Sequence, residues 1–235
     1  MTPSLLRLAV VAVMALGLAG CGESFRYKLT LVVNTPDGPR RGASVVESAF
    51  WNFWFPERGI GHELRGEALY LDLGPGRRPL IALLTCKLHP KFGKALSWTQ
   101  EAGPATTLMS RLYNEAPSQD YMDAIPRIAG RRGPRSISPD DLPDLVTFAD
   151  PNDPKTVIEV DPNNLQATLG PDISWNEITI ESTDEPVTKG IELRLPWIAA
   201  YYNKMLDGSR YHDKNTLANK LSTASFHQPS ASGAQ

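Results

Sequence analysis

From Tyr27 the chain alternates: Tyr27, Leu29, Leu31 and Val33 are apolar, while Lys28, Thr30 and Asn34 are polar. A period of two predicts a half-buried strand. Thr35-Pro36-Asp37-Gly38 then supplies turn chemistry, proline fixing φ and glycine accepting a positive one. A second β-prone run over 43–51 makes residues 26–51 a hairpin with a longish loop. A third strand is predicted over 67–73, ending at Gly74-Pro75-Gly76, and a fourth over 80–85. Short connections between successive strands imply antiparallel pairing.

The pattern changes after residue 105. Leu108, Met109 and Leu112 have helical spacing over 106–115, and Ser118 could cap a second short helix through Ile125, stopped by Pro126. Residues 129–143 are rich in Gly, Pro and charge and read as a flexible loop. Strands are predicted again at 145–148, 156–160 and 177–181, and Pro196 suits the first turn of a helix over 197–206. Residues 213–235 are polar and predict a disordered tail. The fold class expected is α+β, mainly antiparallel β-sheet with a few short helices, in one mature domain over 21–212.

Ahead of this domain, Arg7 is the only charged side chain before an apolar stretch over 8–18 and the small pair Ala19-Gly20. That is the shape of a secretory signal peptide. As a helix, residues 8–20 would span roughly 20 Å, short of the roughly 30 Å of a bilayer's hydrocarbon core. Leu18-Ala19-Gly20-Cys21 resembles the lipobox of bacterial lipoproteins. The resemblance implies that the Cys21 sulfur takes a diacylglyceryl group, that a peptidase removes residues 1–20, and that the new amino terminus is acylated. The thiol is the nucleophile of that chemistry, and the small residues before it leave room for the peptidase. More than one acyl chain gives stable anchoring, so Cys21 is the expected lipidation site and membrane anchor. Gly22, where aspartate would signal retention at the inner membrane in enteric bacteria, favours the outer membrane. The mature chain resembles envelope lipoproteins of Gram-negative bacteria, facing the periplasm.

Composition narrows the partners. The whole chain carries 24 basic and 26 acidic side chains. Without residues 1–20, whose one charge is Arg7, 23 basic and 26 acidic remain, a net charge of −3. That balance gives no reason to expect nucleic-acid binding. With Cys21 lipidated, Cys86 is the other of 2 cysteines, so no intramolecular disulfide is possible. Cys86 follows the apolar run Pro79-Leu-Ile-Ala-Leu-Leu-Thr85 and is expected to be an inert core thiol; His89 lies three residues on but is not thereby placed against the sulfur.

Residues 50–55 hold five aromatic side chains in six positions. In a strand these point to both faces, and an exposed aromatic face could stack on a sugar, enter lipid headgroups or dock a partner. The alternative is burial on both sides beneath the 106–125 helices. Trp51, Phe53, Trp54 and Phe55 are therefore the candidate binding surface. His62, Glu63 and Glu67 lie among Gly59, Gly61 and Gly66, which predicts a loop and no helical His-Glu-x-x-His presentation of metal ligands. The acids of 140–161 mostly neighbour prolines, as turn residues do, and lack calcium-loop order. Gly-x-Ser-x-Gly, phosphate-loop and Cys-x-x-Cys motifs are absent.

The functional expectation is a membrane-anchored lipoprotein, non-enzymatic, that serves as a binding or structural module for an envelope protein or glycan. No metal or cofactor is expected. The alternative is a periplasm-facing hydrolase using His62 and Glu67. Intact mass of the protein from its host's membranes should equal residues 21–235 plus acyl chains, and Cys21→Ser should lose that added mass. An unmodified wild-type mass would refute the anchor.

Overall fold

The computed structural model describes residues 22–52, 59–88, 98–99, 103–104, 106–115 and 121–228. The opening hairpin forms as its alternation predicts. β1 (Gly22–Asn34) and β2 (Arg40–Asn52) pair antiparallel from Gly22↔Trp51 to Val33↔Arg40. Their connection is closed by Thr35 and Gly38, whose backbone groups bond reciprocally, with Gly38 at φ +104°.

β3 (Ile60–Glu67) pairs with β2, so residues 60–67 are strand and not the loop their glycines suggested. The physical reason is close approach. A Cβ on Gly61 would lie 2.4 Å from the Trp51 ring, its cross-strand partner, and one on Gly66 would meet the Val46 Cα at 3.2 Å. These glycines make room for neighbours. β11 (Ser174–Ser182) pairs with the other edge of β1, and β8 (Arg135–Ser136) and β12 (His227–Gln228) complete a six-stranded sheet in the order β12-β3-β2-β1-β11-β8.

A second sheet of four strands holds β4 (Leu69–Leu71), β5 (Leu80–Ala82), β9 (Leu145–Phe148) and β10 (Val157–Val160), in the order β10-β9-β5-β4. Both its faces are buried. Leu80, Ala82 and Leu145 join the core shared with Tyr27, Leu29, Leu31 and Val46 of the large sheet. Ile81, Val146 and Phe148 point the other way, into a core closed by Trp197, Leu206, Leu221 and Phe226. Continuous apolar runs fit a sheet covered on both sides, and alternation fits one covered on one side. Gly42 lets the layers meet, since a Cβ there would touch Leu69 and Leu71 at 3.1–3.3 Å. The fold is thus α+β, mainly antiparallel sheet with few and short helices. Cys86 is buried in the first core.

Among the described residues, four short helices fill the gaps: α1 (Thr106–Leu112), α2 (Tyr121–Gly130), α3 (Leu165–Leu169) and α4 (Leu217–Lys220). α2 runs through Pro126, where the sequence predicted a stop. Ile125 and Ile128 are both at 0 % exposure against the large sheet. Burying two such side chains contributes about 3–6 kcal/mol, enough to offset the ~3 kcal/mol of an interior proline. Among the described residues no helix is long and apolar enough to cross a membrane.

Three further expectations are corrected. Residues 197–206 form successive turns and not the expected helix; Asn203 at φ +56° leaves the right-handed helical region, while Trp197, Ile198 and Leu206 pack in the second core. Residues 213–228, expected as a disordered tail, are ordered. Asn219, fully buried, donates to Asp207, Ser209 and the Tyr211 carbonyl, and its own amide oxygen accepts from the Lys214 N–H. Hydrogen bonds from Ser209, Lys214 and Asn219 hold the Asp207 carboxyl below the usual carboxylate range. The 129–143 segment, expected as a flexible loop, carries β8 and a 3-10 turn over Pro139–Asp141 and buries Ile137 and Leu142. Phe226 packs its ring 5.4 Å from Trp197 and 5.9 Å from Phe148. Phe226→Ala should therefore cost about 3–5 kcal/mol in chemical denaturation; a loss under about 1 kcal/mol would show that this segment does not complete the core.

Candidate functional site

Glu67 ends β3 where the chain leaves the large sheet for the small one, and it is 3 % exposed. A carboxylate at that depth must be hydrogen-bonded. Its Oε1 accepts from the Gly190 N–H at 2.9 Å and its Oε2 from the Ile191 N–H at 2.8 Å. The left-handed backbone of Gly190, φ +110°, aims both N–H groups at one carboxylate. Just upstream, Thr188 bonds β2 twice, its N–H donating to the Val45 carbonyl at 2.9 Å and its hydroxyl accepting from the Val45 N–H at 2.8 Å. β2 pairs with β3 only as far as Glu47↔Arg65, so residues 186–190 form a strap over the edge that β3 leaves open.

A cavity lies on each side of this strap. The first, about 540 Å³, is lined by Arg40, Arg41, Lys189 and Arg194 with Tyr70 and Asp72. Among the described residues none of the four cations forms an ion pair. The Asp72 carboxylate instead accepts from the Gly74 N–H at 2.9 Å. Arg194 sits 5.7 Å from the centre of the Tyr70 ring. Burial first, and the Asp72 charge second, push the Tyr70 phenol up, so it stays a neutral hydrogen-bonding group at the cavity wall.

The second cavity, about 510 Å³, is lined by Arg26, Glu47, Arg65, Glu67, Glu192 and His227 among others. Here both arginines are paired with carboxylates. Glu47 receives Arg26 on one oxygen and Arg65 on the other, both at 2.9 Å, and Arg65 continues to Glu63 at 2.9 Å. The Arg65 guanidinium is held above its ordinary value, chiefly by its hydrogen bond to Glu63. Arg26, Glu47 and Arg65 are register partners on three adjacent strands, so the ladder follows from the pairing. At its end His227, opposite Glu67 on β12, places Nδ1 3.4 Å from Glu67 Oε1 and 3.2 Å from Glu192 Oε1.

Cys21, Phe53, Trp54 and Phe55 lie outside the described residues. Trp51 is half-buried, and its ring covers Gly61 across the strand pair. His62 and Glu67 stand five positions apart on one strand, so they face opposite sides of the sheet. His62 is exposed and Glu67 buried, and the two are not brought to one site. The acids of 140–161 serve as turn and loop acceptors: Asp150 for the Asn152 N–H, Asp153 for Lys155, Asp161 for Asn163 and Asp144 for Leu88. The sequence reading missed the cationic cavity, whose residues come from 40–41, 189 and 194. Only the dipeptide Arg40-Arg41 carried any local signal.

No family model, no curated protein and no solved structure matches the chain. Glu67→Ala would leave the buried Ile191 N–H and the half-buried Gly190 N–H without acceptors and should destabilise the protein by about 3 kcal/mol, read by urea denaturation. A near-neutral result would mean that the strap does not depend on this carboxylate.

Proposed function

We propose that this chain is a bacterial envelope lipoprotein, tethered through Cys21 and facing the periplasm from the outer membrane, whose folded domain is a non-enzymatic module binding an anionic envelope glycan. The observation that carries the reading is the convergence of Arg40, Arg41, Lys189 and Arg194, with no ion-pair partner among the described residues, on one cavity. This happens in a chain whose net charge is −2. Charges elsewhere on the same sheet face are matched by neighbours, as in the Arg26–Glu47–Arg65 ladder. Unmatched cations in a concave site attract phosphate or carboxylate groups, and arginine can hold either with two parallel hydrogen bonds. Tyr70 adds a neutral phenol hydroxyl that can hydrogen-bond a sugar. The ligand chemistry is therefore a sugar bearing phosphate or carboxylate groups.

The reading is tested on the full chain in detergent, titrated with a phosphorylated oligosaccharide and with the same oligosaccharide dephosphorylated. Binding of the phosphorylated form alone is expected, weakening as salt rises. Arg40→Ala and Arg194→Ala should each weaken it about tenfold or more, the loss of a charge-assisted hydrogen bond. Equal binding of the two sugars, or binding of neither, would overturn it.

A further inference from the structure

The second cavity holds three side chains whose donor atoms suit a metal ion: Glu67, Glu192 and His227, with one donor from each lying within 4.8 Å of the others. They come from β3, from the turn after the strap, and from β12, so only the tertiary fold assembles them.

Two explanations compete for the position of the His227 ring. In the first, a protonated imidazole bridges two carboxylates, and such charge-assisted N–H···O bonds close to about 2.7–2.9 Å. The observed separations are 3.4 and 3.2 Å, and Nδ1 is buried without any hydrogen bond. In the second, the donors are edges of a coordination polyhedron. A tetrahedron with metal–ligand bonds of about 2.0–2.1 Å has edges of about 3.3 Å. Both measured edges match that length, and neither matches a charge-assisted hydrogen bond.

The geometry points to a divalent transition-metal site, with zinc the best fit, ligated by His227 Nδ1, Glu67 Oε1 and Glu192 Oε1. One imidazole with two carboxylates is a borderline donor set that zinc accepts. Glu67 is prepared for the role, because the Gly190 and Ile191 N–H groups fix the carboxylate while each oxygen keeps a second lone pair. The nearby Arg65 is engaged by Glu47 and Glu63 and does not compete for Glu67. Three protein ligands leave a fourth position open, as in zinc sites that take a further ligand. All three residues line the cavity of about 510 Å³, which is where a fourth ligand would enter. The site shares Glu67 with the wall of the anion-binding cavity across the strap, but none of that cavity's four cations is among its ligands.

The experiment is isothermal titration of zinc chloride into the full chain in detergent, stripped beforehand with a chelator, beside the variants His227→Ala and Glu192→Gln. Glu192 is exposed and its substitution leaves the buried bonds of Glu67 in place, so that variant keeps the test meaningful if His227→Ala folds poorly. One zinc ion per chain is expected, with affinity reduced at least about tenfold in each folded variant, the loss that even an outer-shell change causes. Cobalt should give the visible absorption of a four-coordinate ion, lost in Glu192→Gln. Absence of zinc uptake, or undiminished affinity in a folded variant, would overturn the site.

Discussion

A carboxylate at 3 % exposure is the point on which three distant parts of the chain depend. Glu67 sits at the bend where β3 passes from one sheet to the other, and an ionised group there is costly unless its oxygens are occupied. The Gly190 and Ile191 N–H groups occupy them, and this fixes the strap that crosses the open edge of β2. The strap in turn separates two cavities. Lys189 at its end lines both, and the turn that follows adds Arg194 to the first and Glu192 to the second.

The layered burial explains why the bend is held so firmly. The small sheet is covered by the large sheet on one face and by the C-terminal segment on the other, so its inner strands β5 and β9 are buried at every position. The C-terminal segment has little regular structure of its own, four residues of helix, a 3-10 turn and the two residues of β12. It is held by aromatic contacts of Phe226 with Trp197 and Phe148, and by Asn219, whose side chain gathers the surrounding loop carbonyl, hydroxyl and carboxylate groups. A polar segment without periodicity can be ordered in this way once a preformed apolar face is available to receive its few large side chains.

The two cavities differ in charge balance while sharing a wall. On the ladder side, register places Arg26, Glu47 and Arg65 opposite one another, and little net field remains. On the other side, Arg40 and Arg41 open β2 at its turn, where β3 no longer pairs with it and their β1 partners are Val33 and Val32; the acids of that cavity, Glu67 and Asp72, are engaged by backbone N–H groups. Unneutralised positive charge is thus a consequence of where β3 diverges.

By itself the sequence determined the hairpin of β1 and β2, the strands β9 to β11 and the buried character of Cys86, because period-two alternation and apolar runs report directly on which faces are covered. The lipobox-like Leu18-Ala19-Gly20-Cys21 is likewise local, readable without a fold. Only the tertiary structure decided that residues 60–67 are strand, since their glycines serve the Trp51 ring and the Val46 backbone, neither of which a linear reading places nearby. Only it decided that α2 continues through Pro126, through burial that propensity cannot weigh, and that residues 213–228 are ordered. The cationic cavity and the cluster of Glu67, Glu192 and His227 draw on positions as far apart as 40 and 227. Their proximity is a property of strand pairing and the bend at Glu67, and no spacing along the chain encodes it.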